Sequence, residues 1–284
     1  MAFKFFNRNP EQAEMSFVDH LEALRWHIVR SVIAILVVAI VLFINMNWVF
    51  DKIIMGPLRP DFISYTGLCN LGRKLHLGDV FCMPPINIKM QVTTFSSQFI
   101  NSITIAAIGG FIVAFPYIFW EFWRFLKPAL SPKELKSTRG SIFWVSFFFL
   151  LGISFGYFLL APFTFSFLAN YKLGVIGILE TRPTLDDYLD NLIDILVGAG
   201  LAFQLPLVSY VLTRIGLVTP NFLRTYRKYA YVAILFVAAV ITPSPDWMSQ
   251  TIVALPLIAL YEISIRISVR VMKQMDERDK EDWS

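Results

Sequence analysis

The chain has 284 residues, of which 56% are hydrophobic and only 16% charged, against about 25% charged in an average soluble domain. Its net charge of +4 comes from basic residues scattered between apolar runs, without the basic stripe and interleaved aromatics that grip nucleic acid. The composition excludes an ordinary soluble domain and predicts one all-α integral membrane domain over residues 1–284.

Val32 to Ile44 is a run of thirteen apolar residues. With Trp26 and Ile28 ahead of it, the run reaches the length of about 20 residues that crosses a bilayer. The first span is read at 27–46. A polar stretch precedes it and no small-x-small site follows, so a retained span is expected and not a cleaved leader. Residues 47–92 hold Pro57, Pro60, Gly67, Gly72, Gly78, Pro84 and Pro85, which punctuate short pieces of a structured outer cap. The second span, 96–120, is uncharged and contains Pro116. The third, 140–165, carries Gly152 and Gly156, a spacing that lets another helix approach. Thr184 and Asp187 form a capping pattern ahead of the fourth span, 188–213. Spans of 229–243 and 247–262 flank a tight turn, and each is short for a bilayer about 30 Å thick. The charged tail, 263–284, is expected to be a cytoplasmic helix.

Six spans put both termini on one side. Of the 25 Lys and Arg residues, 18 then fall in segments on the side of the termini and 7 on the other. Basic loops stay in the cytoplasm, so that side is predicted to be cytoplasmic.

Several polar residues stand out against this background. Gln204 falls inside the fourth span beside Pro206. An amide there seeks a partner, and Pro206 leaves a carbonyl without its usual donor, so the two make a polar notch. A glutamine satisfied by a neighbouring backbone is the plainer reading. Glu22 and Arg25 are spaced for a local ion pair, as are Glu262 and Arg266. Asp246 lies in the turn between Pro243, Pro245 and Trp247, where it is placed to cap the last helix. Cys69 and Cys82 share the first outer segment. A disulfide closing a loop of about 14 residues is worth roughly 3 kcal/mol in the chain-entropy account, and two free thiols fit equally well. No nucleophile–base pair, phosphate loop or H-E-x-x-H motif is present. His20, His27 and His76 are divided between the two predicted sides, which excludes a three-histidine metal site. No enzyme and no cofactor is expected.

Four segments carry a family resemblance: H-L-E-A-L-R at His20 to Arg25, F-W-R-F-L-K-P-A-L-S-P-K-E at Phe122 to Glu134, F-Q-L-P at Phe203 to Pro206, and I-T-P-S-P-D-W-M-S-Q at Ile241 to Gln250. In this order and spacing the chain resembles the TatC family, the multispanning subunit of the twin-arginine protein translocase. The resemblance implies a receptor in the bacterial inner membrane, driven by the proton-motive force. It would bind twin-arginine signal peptides and pass folded proteins across. Implied partners are single-span proteins of the TatA and TatB type, twin-arginine precursors and membrane lipid, in a multi-copy complex. The implied signal-peptide surface comprises Glu134 and Glu22, with His20 and Arg25 in the same motif. The implied partner contact lies at Gln204 and Pro206. Asp246, Pro243, Pro245 and Glu262 are read as structural. Two positions depart from the family pattern. Ala23 stands where a glutamate is usual, and its neighbour Glu22 points about 100° away on a helix. Gln204 stands where glutamate is frequent; it keeps hydrogen bonding and loses titration.

The competing reading is a small-solute secondary transporter. It needs several polar groups converging at the membrane midplane, where only Gln204 qualifies well and Asn101 is a minor candidate. A purely structural scaffold is a third reading, in which replacing Glu134 alters assembly and not export.

Overall fold

The computed structural model describes residues 17–74, 76, 82, 86, 89–126, 141–171, 182–214, 216–242 and 247–282. Its elements are helical: α1 Phe17–Ile44, α2 Met46–Val49, α3 Ile63–Lys74, α4 Ser97–Leu126, α5 Ser141–Phe155, α6 Ala161–Asn170, α7 Leu185–Ala202, α8 Leu205–Arg214, α9 Pro220–Thr225, α10 Arg227–Ile241 and α11 Trp247–Asp282. Five stretches are long and apolar enough to cross a membrane: Glu22–Ile44, Ser97–Phe125, Ile142–Asn170, Leu185–Arg214 and Gln250–Met275. The remaining long helix, α10, has 15 residues and spans only about 23 Å.

The first two spans form an antiparallel pair. Phe43 meets the ring of Phe99 at one end, and His27 meets Glu121 at the other. Between them, a methyl group added at Gly110 would lie 2.9 Å from the Ile35 carbonyl oxygen and 3.1 Å from Ala39 Cβ. Lipid is as apolar as leucine, so such close backbone approach replaces the hydrophobic drive of a soluble core.

The remaining spans form a body. Gly152 and Gly156 of the third span face the fourth: a methyl at Gly152 would come 2.6 Å from the Ala199 carbonyl oxygen, and one at Gly156 would come 3.2 Å from that of Ile195. The helix carrying them widens into a π turn, Gly156–Leu160, just before Pro162. Pro162 has no N–H to return to Phe158, and the widened turn absorbs that missing bond. The body's core gathers Ile195, Ala199, Phe203, Ile234, Ala238, Val253, Leu257 and Ile265. Phe115 of α4 stacks on Phe149 of α5, centroids 3.6 Å apart, and joins the pair to the body.

The last helix differs from the reading of a short span followed by a separate tail. Residues 247–282 are one helix of 36 residues. Nothing in 263–275 breaks it, and Ile265, Ser268 and Val271 remain buried. The Thr213 and Ser268 hydroxyls bond at 2.8 Å, so α8 carries the buried seam past the expected end of the span. Conversely, the fourth span is interrupted at Phe203–Gln204 between α7 and α8, while α4 continues through Pro116.

One end of the bundle is capped by the described residues between 45 and 92. Beyond α2, a π turn (Phe50–Ile54) and a 3₁₀ turn (Gly56–Leu58) lead into α3. Orphan carbonyls at these tight turns are met by tyrosines. Tyr157 donates to the Ile53 carbonyl at 2.6 Å, Tyr188 to that of Ile54 at 2.5 Å and Tyr65 to that of Pro57 at 2.8 Å. Burial pushes the Tyr65 phenol up to about 12. Arg59 donates to both Asp61 oxygens and holds that carboxyl below the usual range. The sulfur atoms of Cys69 and Cys82 are bonded, with Cα atoms 4.3 Å apart. Gln91 pairs with Thr184 by a parallel bridge, and Thr184 and Asp187 form the expected capping box of α7.

Candidate functional site

The end opposite the cap carries the N-terminal part of α1 and the C-terminal part of α4. Here Glu121 is only 1% exposed. Its Oε2 lies 2.5 Å from His27 Nδ1 and 4.0 Å from an Arg30 nitrogen. Its Oε1 accepts from Tyr117 at 3.0 Å and from Arg124 at 3.4 Å. A buried carboxylate is tolerated only when paired and hydrogen-bonded, and these groups meet that need. Tyr117 and Arg124 lie one turn to either side on α4, whereas His27 and Arg30 come from α1.

A second pair sits at the same end of the body. Arg227 lies 2.9 Å from Glu262 Oε1 through Nε, and its Nη2 donates to Oε2 at 3.0 Å. Tyr231 donates to Glu262 Oε1 at 2.6 Å. Glu262 therefore joins α11 to α10, and the expected pairing with Arg266 along its own helix does not form. The bidentate fork of arginine favours the cross-helix partner. Nor does the expected pair of Glu22 and Arg25 form: both side chains are exposed on α1, where solvent competes with a local ion pair.

Gln204 lies within the body, where α7 gives way to α8. Gln204 Nε2 donates to the Val145 carbonyl at 3.2 Å, so the neighbouring backbone satisfies half of the amide. Its Oε1 is buried and accepts no hydrogen bond among the described residues, and the adjacent strip of α5 carries a second such atom, Ser146 Oγ. Pro206 is buried beside it. An orphaned amide oxygen costs about 1–3 kcal/mol, and a donor from a partner would recover it.

At the cap end, Asp186 Oδ1 accepts from Ser97 at 2.5 Å and from Asn101 at 2.6 Å. A cavity of about 360 Å³ opens beside this cluster, lined among others by Met46, Asp51, Met90, Gln98 and Asn101. The aspartates Asp190 and Asp194 are exposed on the far face of α7.

The expected site residues are thus distributed. Glu22 and Arg25 lie on α1, five and two residues before His27, and His20 lies further back on the same helix. Glu134, Pro243, Pro245 and Asp246 lie outside the described residues. Sequence reading passed over Glu121. Its signal was present: a single carboxylate at the edge of an uncharged run, with Tyr117 four residues before it and Arg124 three after. The Asp186 cluster was also missed, because Asp186 read as a helix start and its partners lie 85 and 89 residues away.

Long antiparallel apolar helices, small-residue contacts and a few buried polar nodes define a multispanning integral membrane protein. The sequence profile described as "Sec-independent protein translocase protein (TatC)" matches residues 19–256. The chain is 40% identical over 265 residues to the Sec-independent protein translocase protein TatC of Blattabacterium sp. subsp. Periplaneta americana (strain BPLAN), covering 93% of this chain and 98% of that one. It is 31% identical over 272 residues to the protein of the same name from Deinococcus radiodurans, covering 96% and 92%. A crystal structure of the twin-arginine translocase receptor TatC superposes with a TM-score of 0.66 at 30% identity, covering 89% of this chain and 99% of that one. A second, in DDM, gives 0.67 with 88% and 99% covered.

The chain belongs to the TatC family, and its role lies in twin-arginine translocation. It is a multi-pass inner-membrane protein and a translocase subunit, not an enzyme.

Proposed function

We propose that this chain is the receptor and core subunit of a proton-motive-force-driven translocase that binds twin-arginine signal peptides. It works with single-span partners of the TatA and TatB type and exports folded proteins. Six spans, with α10 as the short fifth, leave both termini and the 127–140 loop in the cytoplasm. The bias of 18 basic residues to 7 supports that orientation. Glu134 and Glu22 are the carboxylates for the two signal-peptide guanidiniums, which such groups bind with geometry as well as charge. Gln204 and Pro206 receive a polar group of a partner helix.

The observation that carries this reading is the contact of His27 with Glu121 at 2.5 Å. It ties the Glu22 end of α1 to the end of α4 that precedes residues 127–140 in the chain. That supports reading the Glu22 and Glu134 segments as parts of one surface.

Photocrosslinking from a probe replacing Lys136, with Glu134 left in place, in native membranes tests the proposal. A precursor with Arg-Arg should crosslink, and its Lys-Lys counterpart should not. Equal crosslinking of both, or none while export is active, would overturn it.

A further inference from the structure

We infer that Glu121 is a positioning residue of the signal-peptide receptor: through His27 it sets the rotation and register of α1, and hence where the Glu22 segment meets the precursor. The inference rests on the receptor reading above and adds a residue that neither the motifs nor the resemblance assigns.

Among the described residues, the other contacts of α1 are apolar and carry no directional bond. In its most apolar window, none of α1 is buried inside the molecule, and it packs chiefly on α4. That interface is apolar, through Leu42, Ala39 and Ile35 against Gly109 and Gly110. Such packing holds the two helices close, but apolar contacts have no fixed direction and tolerate small rotations. Directional hydrogen bonds do not. Among the described residues, the side-chain polar contacts from α1 to another helix are those of His27 and Arg30, and both end on Glu121. Tyr117 and Arg124 occupy the other carboxylate oxygen and hold the rotamer. Phe125 adds an edge contact on the His27 ring. The pin therefore lies at the receptor end of α1. Trp26 and Glu22 project from that end as exposed side chains. Leu126, five residues beyond Glu121, is the last residue of α4, and the segment carrying Glu134 follows it in the chain. One buried carboxylate thus ties the Glu22 end of α1 to the end of α4.

The test compares two photocrosslinking probes in full-length protein in native membranes with partners present, one replacing Trp26 and one replacing Lys136, which leaves Glu134 in place. Yields are normalised to folded protein, and each is measured with Arg-Arg and Lys-Lys precursors. Glu121→Leu should lower the Arg-Arg crosslink from Trp26 by about tenfold, the scale of one charge-assisted hydrogen bond. The crosslink from position 136 should stay within about twofold of its starting yield on that same scale. The exchange pair Glu121→His with His27→Glu restores the contact with its partners reversed and should return the Trp26 signal. An unchanged Trp26 crosslink in Glu121→Leu, or loss at both probes without rescue, would overturn the inference. So would a protein with Glu121 intact that crosslinks from position 136 but not from Trp26. Absence of Arg-Arg selectivity at position 136 with Glu121 intact would instead defeat the receptor reading itself.

Discussion

The first and last spans are both long apolar helices, yet the molecule treats them in opposite ways. None of the apolar window of Glu22–Ile44 is buried inside the protein, against 44% of that of Gln250–Met275. The first helix leans on one neighbour and is pinned by Glu121. The last is the hub against which α8, α9 and α10 close, with Val253, Ala254 and Leu257 almost wholly covered. Hydropathy alone does not separate a peripheral helix from a central one. Residue size along the stripe and the placement of polar anchors do.

The comparison breaks most severely if the body behaves as loosely as the pair. Gly152→Leu should abolish accumulation of folded protein, because its Cβ alone would sit 2.6 Å from a backbone carbonyl and 2.9 Å from the Phe203 Cβ. Gly109→Ala, whose methyl meets only the flexible tip of Leu42, should cost under about 1.5 kcal/mol. Abundance in membranes and melting in detergent would distinguish them, and equal losses would show that pair and body are one cooperative unit.

The joint between the two regions is next. Asp186→Ala leaves Asn101, 9% exposed, without its strongest acceptor, and should cost about 1–3 kcal/mol. Asp186→Asn should cost less, because an amide oxygen can still accept. Hydrogen exchange in α4 would report the loosening, and no change there would mean that the Phe115–Phe149 stack holds the joint alone.

The notch tests function more than stability. If Gln204 makes a polar contact with a partner helix, Gln204→Glu should export normally and Gln204→Leu should fail at unchanged abundance. Equal export by all three would remove the residue from the mechanism. The smallest effect is expected at Arg227→Met. Glu262 keeps Tyr231 and is 33% exposed, so solvent screens the lost charge and the cost should stay within about 1 kcal/mol. A larger drop in melting temperature would show that this pair is a true anchor of the body.

Much of this was legible in the residues. Uncharged runs mark the membrane helices because lipid leaves no water for an unpaired backbone group. Thr184 with Asp187 announced a helix start that the structure forms through a capping box. The small pair Gly152 and Gly156 pointed to a close helix contact, though not to its partner. Other features depended on groups distant in sequence. Spacing pairs Glu262 with Arg266 along its own helix, and the packing of α10 on α11 instead brings it Arg227, 35 positions earlier. Glu121 looked like the first charge of a wet loop until His27, 94 positions earlier, was brought to it.

By itself, then, the sequence determined the class of the protein, its all-α multispanning character, the cap at Thr184 and its family. Each rests on local composition, short-range hydrogen bonding or motifs in order, and none requires knowing which helices touch. Tertiary structure alone decided that α1 is peripheral and α11 central, that a 36-residue helix runs unbroken to Asp282, and that Glu121, Asp186 and the oxygen of Gln204 are the polar groups at stake. In an apolar solvent many packings bury similar surfaces. The choice among them falls to a few small residues and directional bonds, whose partners no stretch of sequence names.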